Sequence, residues 1–300
     1  MNDNDKNTDQ TNTDEILEKY RRAGKILAQV RAQAAKKVRV GESLLSVATF
    51  AEDLIREMGG EPAFPVNISR NDEAAHSTPS FKDKAVFGND MVKLDIGVHI
   101  DGYIADTAIT VDLSGNPKLV EAAEAALEEA IKIIHAGVNT SEIGGVIEDT
   151  IGSFGFKPII NLTGHGLMQY VQHAPPSIPN KRVQHGVVLE AGDVIAIEPF
   201  ATNGGGKIYD AGIAEIYHRV SERPVRHPSA RALLGEIEKY RTLPFAKRWL
   251  GDRVDFAMLA LVKANIIQPY PILKEIQGGL ISQAEHTMIV TQDGCEVITR

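Results

Sequence analysis

Four carboxylates lie in apolar stretches of the chain, and one histidine stands in a glycine-rich motif between them. Asp95 lies in KLDIGVHI and Asp106 follows in YIADTAITV. Glu198 ends the run DVIAIE, Glu285 opens EHTMIV, and His165 lies in LTGHG. A buried carboxylate needs a charged or hydrogen-bonding partner. Each residue alone is weak evidence, but together they form a set that could converge on a cation.

The turn Asp101-Gly102 decides how the two aspartates are placed. Asp-Gly between two β-rich runs predicts a hairpin with a two-residue turn, so that Asp95 faces Ala108. Asp106, two residues away on the same strand, then shares a face with Asp95 at about 7–8 Å. Carboxylates this close repel each other unless a cation lies between them. The alternative is two exposed aspartates on the wet face of the hairpin, and the pair alone does not decide between them.

The chemistry of the set favours divalent metal ions. Two divalent cations would balance the four carboxylates, and oxygen-rich ligation with one imidazole suits manganese, iron, cobalt or zinc. Two such ions can share a water, lower its pKa and polarise a carbonyl group, which predicts a hydrolase. Cys295 is the single cysteine, so a cysteine-based zinc site is excluded. These residues do not identify the substrate.

The composition is that of an ordinary globular protein. The 300 residues are 43% hydrophobic and 24% charged, enough to bury a substantial core. No run approaches the roughly 18 apolar residues of a membrane span, and the polar N-terminus has no signal-peptide core. The single cysteine fits a reducing cytoplasm, and the net charge of −8 argues against binding to nucleic acid. We expect a cytoplasmic protein without a direct nucleic-acid or membrane partner.

The elements that must position these residues mix without a regular β-α-β rhythm, so an α+β fold with an antiparallel sheet is expected. Residues 1–13 are predicted to be a disordered tail. Helices are expected over 14–36, 43–58 and 140–153, and between Pro117 and Gly137 with Asn116 as the N-cap. Strands are expected near 157–162 and 193–200, loops over 61–84 and 164–181, and mainly helical structure over 226–266.

Four motifs in this order, KLDIGVHIDGYIADTAITV, NLTGHG, AIEPF and AEHTM, resemble the methionine aminopeptidases. The stretch NDEAAHSTP resembles the AAHYTP segment of that family, with Ser77 in place of the usual tyrosine. The resemblance implies a pita-bread fold over residues 14–300, in which two pseudo-symmetric halves enclose a dinuclear metal site. A helical insertion at about 222–278, which carries FAKRWL, resembles the insertion of the type II enzymes. Because no long charged N-terminal extension precedes these motifs, the sequence resembles the short archaeal form of the type II enzymes.

The resemblance also implies a role for each metal ligand, with two divalent ions (Co, Mn, Fe or Zn) as cofactors. Asp95 binds one ion, Asp106 and Glu285 bridge both, and His165 and Glu198 bind the other. Glu198 is in addition the expected proton carrier.

The implied catalytic and substrate-binding residues surround these ligands. His173 matches the histidine that contacts the scissile amide, and His76 matches a pocket histidine that fumagillin-type inhibitors alkylate. Phe64, Phe200 and Tyr270 match pocket residues around the methionine side chain, although each could be plain core. The other histidines are expected to be surface or core residues: His99, His135, His185, His218, His227 and His286.

The function implied is metal-dependent removal of the N-terminal methionine from nascent polypeptides, with the ribosome as a further partner. One alternative is a prolidase or Xaa-Pro aminopeptidase of the same fold, which cuts before proline and usually has a longer histidine-rich signature. Another is a non-catalytic binding relative. That alternative predicts a missing ligand, and none of the five is missing here.

Overall fold

The structure is a computed structural model, which describes the backbone of residues 3–300 and the side chains of residues 14–300. The backbone of residues 3–13, which belong to the tail predicted as disordered over 1–13, is helical and continues into the helix predicted from residue 14. The helices are α1 (Asp3–Ala35), α2 (Leu44–Glu57), α3 (Pro117–Ile133), α4 (Thr140–Ser153), α5 (Pro228–Ile237) and α6 (Asp255–Lys263). None of the described helices combines the length and apolarity of a membrane span.

Eighteen strands are described, most of them short. They are β1 (Glu61–Pro62), β2 (Asn67–Arg70), β3 (Glu73–Ala75), β4 (Met91–Ile100), β5 (Tyr103–Asp112), β6 (Lys157–Pro158), β7 (Thr163–Met168), β8 (Val171–Pro179), β9 (Val194–Ile197), β10 (Phe200–Thr202), β11 (Ile208–Asp210), β12 (Ile216–Arg219), β13 (Phe245–Ala246), β14 (Ile267–Tyr270), β15 (Leu273–Glu275), β16 (Ile281–Gln283), β17 (His286–Val290) and β18 (Cys295–Val297).

The first half of the molecule is an antiparallel sheet of β1, β4, β2 and β5, against which α1 and α2 pack. Ser43 caps α2 by accepting a hydrogen bond from the Ser46 N–H at 3.3 Å. Gly59 follows that helix with φ +82°, a conformation that suits glycine. Helix residues such as Leu27 and Ile55 share one buried core with β4, so the helices cover one face of the sheet.

The β4–β5 hairpin has the predicted register, in which Asp95 faces Ala108. Asp101 and Gly102 both have positive φ, at 51° and 88°, as a two-residue type I′ turn requires. The tight turn allows no bulge, and the two aspartates therefore share a face as predicted.

The second half is a sheet in the order β18-β17-β9-β7-β8, covered by α3 and α4. Here the predicted loop over 164–181 was wrong, because β7 and β8 form a hairpin. Pro175, Pro176 and Pro179 lie on β8, an edge strand whose outer N–H groups need no sheet partner. The loop over 61–84 likewise contains three short strands, and the strand near 157–162 is reduced to β6.

Helix α3 also departs from the prediction at both ends. Asn116 makes no capping bond, because its side chain donates to the Ser114 carbonyl and hydroxyl oxygens at 3.2 and 3.0 Å. The helix ends at Ile133, before Gly137. Pro117 occupies the first helical turn as expected.

Residues 216–270 form a unit with its own hydrophobic core, in which Leu233, Phe245 and Leu261 are buried. Besides α5 and α6 it contains a three-stranded sheet, β13-β12-β14. FAKRWL, predicted as helical, is instead β13 followed by a 3₁₀ turn over Lys247–Leu250.

The two halves meet along β5 and the segment 283–287. The Glu285 N–H donates to the Ala108 carbonyl at 3.1 Å, and the Asp106 N–H donates to the Thr287 hydroxyl at 2.8 Å. This junction brings Asp106 and Glu285 together from distant parts of the sequence.

Candidate metal centre and side pocket

All five predicted metal ligands line one cavity of about 210 Å³ between the two sheets. Asp95 lies on β4, Asp106 on β5 and His165 on β7, while Glu198 follows β9 and Glu285 precedes β17. One ligand atom each of Asp106, His165 and Glu285 lies within 4.8 Å of the other two. The His165 Nε2 atom is also 3.8 Å from Glu198 Oε1.

The carboxylates of this cluster are buried beside one another, which raises their pKa values. Burial raises the pKa of Asp95 to about 7. Burial, reinforced by the charges of Asp95 and Glu198, raises the pKa of Asp106 well above its ordinary value. The pKa of Glu285 is raised by burial and by Asp106, and burial likewise raises that of Glu198. So many carboxyl groups in one cavity are stable as anions only around a cation.

Three carboxylate oxygens of the cluster test whether a cation fits. Asp95 Oδ1, Asp106 Oδ1 and Glu285 Oε2 are buried without a hydrogen-bond partner. Buried polar atoms are otherwise nearly always paired. A divalent ion would satisfy these oxygens and neutralise their charges, so the residues fit a metal.

His165 presents the ring nitrogen that a metal would need. Burial, followed by the charge of His173, lowers the pKa of His165 to about 3, so its imidazole is neutral. A proton on Nδ1 donates to the Gly166 carbonyl at 3.2 Å. The Nε2 lone pair then faces the carboxylates, 3.9 Å from Asp106 Oδ2, in the tautomer that suits a metal ligand.

A narrow side pocket opens beside the cluster. Its lining includes Phe64, His76 and Tyr270 among the predicted pocket residues, together with His173. Phe64 is 2% exposed and occupies the space above Gly97, where an added Cβ would lie 2.2 Å from its ring. The predicted pocket residue Phe200 lies in the wall of the larger cavity that holds the carboxylates.

His173 and His76 stand where the cluster and the side pocket meet. The ring of His173 packs edge-on against that of His165, with centroids 4.6 Å apart, and the ring of His76 packs on Tyr270 at 5.1 Å. Burial lowers the pKa of each to about 4, so both are neutral at pH 7. His76 also has a φ of 65°, which is strained for a residue with a Cβ.

The sequence analysis does not identify several residues that the structure places in the site. Gln283 donates to Glu198 Oε2 at 3.3 Å, and its position two residues before Glu285 was an available signal. Asn67 pairs with Asp95 in register and lines both the cavity and the side pocket. His218, expected as surface or core, lies with its ring 4.7 Å from Tyr270.

His286 lies outside the cluster, as the alternation of side chains along a strand predicts. Its ring nitrogen Nδ1 is 2.8 Å from the Thr299 hydroxyl and 3.3 Å from the Arg31 guanidinium.

The chain is similar over nearly its whole length to proteins of known family. Residues 18–291 match the model of metallopeptidase family M24. A methionine aminopeptidase of Archaeoglobus fulgidus is 53% identical over 289 residues, which is 96% of this chain and 99% of that protein. One from Methanocaldococcus jannaschii is 49% identical, over 95% and 99% of the two chains. The crystal structure of the Thermotoga maritima enzyme shares the fold, with a TM-score of 0.71, 24% identity and coverage of 95% and 97%.

Proposed function

We propose that this chain hydrolyses the first peptide bond of polypeptides that begin with methionine. It belongs to metallopeptidase family M24 and, within that family, to the methionine aminopeptidases. One observation of the structure carries the proposal: a narrow side pocket adjoins the carboxylate–histidine cavity at His76 and His173. A side chain held in that pocket would place its own peptide carbonyl beside the cluster.

The five residues of the cluster would hold two divalent metal ions, drawn from cobalt, manganese, iron and zinc. Such ions supply Lewis-acid activation of water and of the scissile carbonyl. The buried, unpartnered oxygens of Asp95, Asp106 and Glu285 support this assignment, as does the neutral imidazole of His165. Asp106 and Glu285, which lie together at the junction of the two halves, would each contribute a carboxylate to hold these ions.

Two residues would handle protons and the developing charge. Glu198, whose pKa is raised by burial, would accept a proton from water and pass it to the leaving nitrogen. Its Oε2 accepts the amide hydrogen of Gln283, so its carboxyl group has a fixed orientation. His173, neutral at pH 7, would donate a hydrogen bond to the oxyanion or to the leaving amide.

The substrates proposed are nascent polypeptides met in the cytoplasm as they leave the ribosome. Within the pocket, Phe64 and Tyr270 would contact the methionine side chain, with Phe200 in the adjoining cavity wall. The pocket is bounded by residues of the unit at 216–270, which supports the insertion proposed at about 222–278 within a catalytic domain over 14–300.

A peptide-cleavage assay tests the function. Protein loaded with manganese or cobalt should release methionine from Met-Ala and Met-Gly peptides and should leave Ala-Pro peptides intact. Release of the first residue from Ala-Pro at an equal or higher rate would assign the chain to the prolidase branch instead. No release from any of these peptides by metal-loaded protein would refute the proposal.

A further inference from the structure

Two side chains of FAKRWL are directed at a single buried carboxylate in the first half of the molecule. Arg248 is 9% exposed and Glu52, on α2, is 4% exposed. Arg248 Nη2 donates to Glu52 Oε1, and the Trp249 indole N–H donates to Glu52 Oε2 at 2.8 Å. Glu52 Oε1 also accepts the Val66 N–H at 3.3 Å. The motif therefore attaches residues 216–270, through Glu52, to the residues between Phe64 and β2.

The same guanidinium holds the segment that carries His76. Arg248 Nη1 donates to the Thr78 hydroxyl at 2.7 Å and to the Pro79 carbonyl at 3.0 Å. The Thr78 hydroxyl in turn donates to the Val66 carbonyl at 2.7 Å. Arg248 thus connects its own unit with Glu52 on α2 and with Thr78 and Pro79. Its own unit and the segment that carries His76 both contribute residues to the lining of the side pocket.

The side pocket depends on this connection because three of its lining residues, Phe64, His76 and Pro244, lie outside regular strands. His76 has a positive φ of 65°, and such a conformation persists only where the surrounding structure holds it. Pro244, four residues before Arg248, and Tyr270 also line the pocket. The position of the His76 segment relative to these residues sets how wide a side chain the pocket accepts.

We propose that Arg248, held by Glu52, is a positioning residue that sets the width of the side pocket and with it the preference for methionine over the branched side chain of leucine. This inference rests on the proposed function. Arginine suits the task because its planar fork donates in two directions, to Glu52 on one side and to Thr78 and Pro79 on the other. A lysine could keep the charge pair with Glu52 but could not make both sets of bonds.

Two variants and a matched control test the inference in the metal-loaded full chain. Arg248→Lys keeps the buried charge, and Thr78→Val removes one acceptor at nearly constant volume. The control is Lys247→Met, because Lys247 is the neighbouring residue but pairs with Asp255 inside the same unit. The readouts are kcat and KM for matched Met-Ala and Leu-Ala peptides, and the metal content.

The ratio of kcat/KM for methionine over leucine should fall about tenfold in both variants, within the range for pocket discrimination between similar apolar side chains. The fall should come from a higher KM for the methionine peptide, with metal content unchanged, and the control should keep the ratio. A variant that merely loses folded protein would lower both substrates equally. An unchanged ratio in Arg248→Lys and Thr78→Val overturns the inference.

Hydrogen exchange gives a second readout that does not depend on the substrate. Amides of residues 74–80 should exchange about tenfold faster in both variants than in wild type and in Lys247→Met, because local opening of this segment would cost less. Exchange within twofold of wild type would refute the role of Arg248. If the wild-type chain released no methionine, the proposed function would fail, and the exchange data would still decide whether Arg248 holds the segment.

Discussion

The carboxylate cluster and the side pocket adjoin each other, but part of each is held in a different way. Asp95, Asp106 and His165 lie within strands, where backbone hydrogen bonds hold their positions. Phe64 and His76 lie between strands, where side-chain contacts must hold them. Substitutions in the cluster should therefore remove the reaction, whereas substitutions around the pocket should change how well a particular peptide binds.

The strongest test of this comparison is to remove the charge of Asp106, which is proposed to bridge the metal ions. Asp106→Asn keeps the shape of the side chain but lowers the charge between the two proposed metal sites. We expect activity on Met-Ala peptides to fall about 10³-fold or more, beyond the 10–100-fold that loss of an outer partner of a metal ligand costs. Metal content measured by elemental analysis should fall with it.

Chelation supplies the control for that experiment. Wild-type protein stripped by a chelator should lose activity and recover it with manganese or cobalt, whereas Asp106→Asn should recover little. Full activity in the stripped wild-type protein would contradict a metal-dependent reaction in this cavity.

His173 tests the boundary between the two regions. His173→Ala should lower kcat by about 10²-fold, the scale for removing one donor to a developing oxyanion, and should leave the metal content unchanged. Steady-state kinetics with Met-Ala peptides would measure the change. A rise in KM with kcat intact would show that His173 contributes uniform binding.

His76 should behave as a pocket residue. His76→Ala should retain the metal ions and should lose covalent labelling by a fumagillin-type epoxide, which mass spectrometry would locate in the wild-type protein. Labelling that survives His76→Ala would mean that the segment around His76 does not line the pocket.

The same contrast explains how much of the site could be predicted from the sequence. The placement of Asp95 and Asp106 follows from the two residues of one turn, because hairpin register is a local property. Glu285 lies beside Asp106 only through the junction of the two halves, and the pattern alone did not show that contact. The resemblance to a family supplied it.

The pocket was less predictable because its contacts join distant segments. Arg248 and Glu52 are 196 residues apart, and neither lies in a local pattern that points to the other. The hairpin that carries His173 was predicted as a loop, because the prolines of β8 concealed an edge strand. Sequence patterns therefore predicted the cluster residues that lie on strands better than the residues around the pocket.

Gly97, which lies beneath the Phe64 ring, provides a test of the pocket with a smaller expected effect. Gly97 faces Asp106 in the hairpin, and a Cβ there would lie 2.2 Å from the Phe64 ring. Gly97→Ala should push this ring into the pocket and raise KM for Met-Ala peptides about tenfold, with metal content unchanged. Gly152→Ala is the matched control, since an added Cβ there meets nothing within 4 Å.

The smallest expected effect is on the pH dependence of stability without metal. The raised pKa values of Asp95, Asp106, Glu198 and Glu285 mean that the folded cluster binds more protons than the unfolded chain. Stability from this source is complete below about pH 4 and is lost as the pH rises through the folded pKa values. The pocket histidines act in the opposite sense, since their pKa values are lowered to about 4.

Above about pH 7 the histidines are largely neutral in both states, and the carboxylates titrate against one opposing group, Lys93, whose pKa is lowered to about 7 by burial. Between pH 7 and 8.5 the carboxyl groups should lower the Tm of the metal-free chain by about 2–4 °C per pH unit for each proton lost. Asp95→Asn should flatten this fall, because it removes one titrating group, while Glu190→Gln on the surface should not. Calorimetry in matched buffers would measure the slopes. Equal slopes in Asp95→Asn and the wild-type chain would mean that the carboxyl groups are already ionised without a cation, and the argument for a metal from their burial would fail.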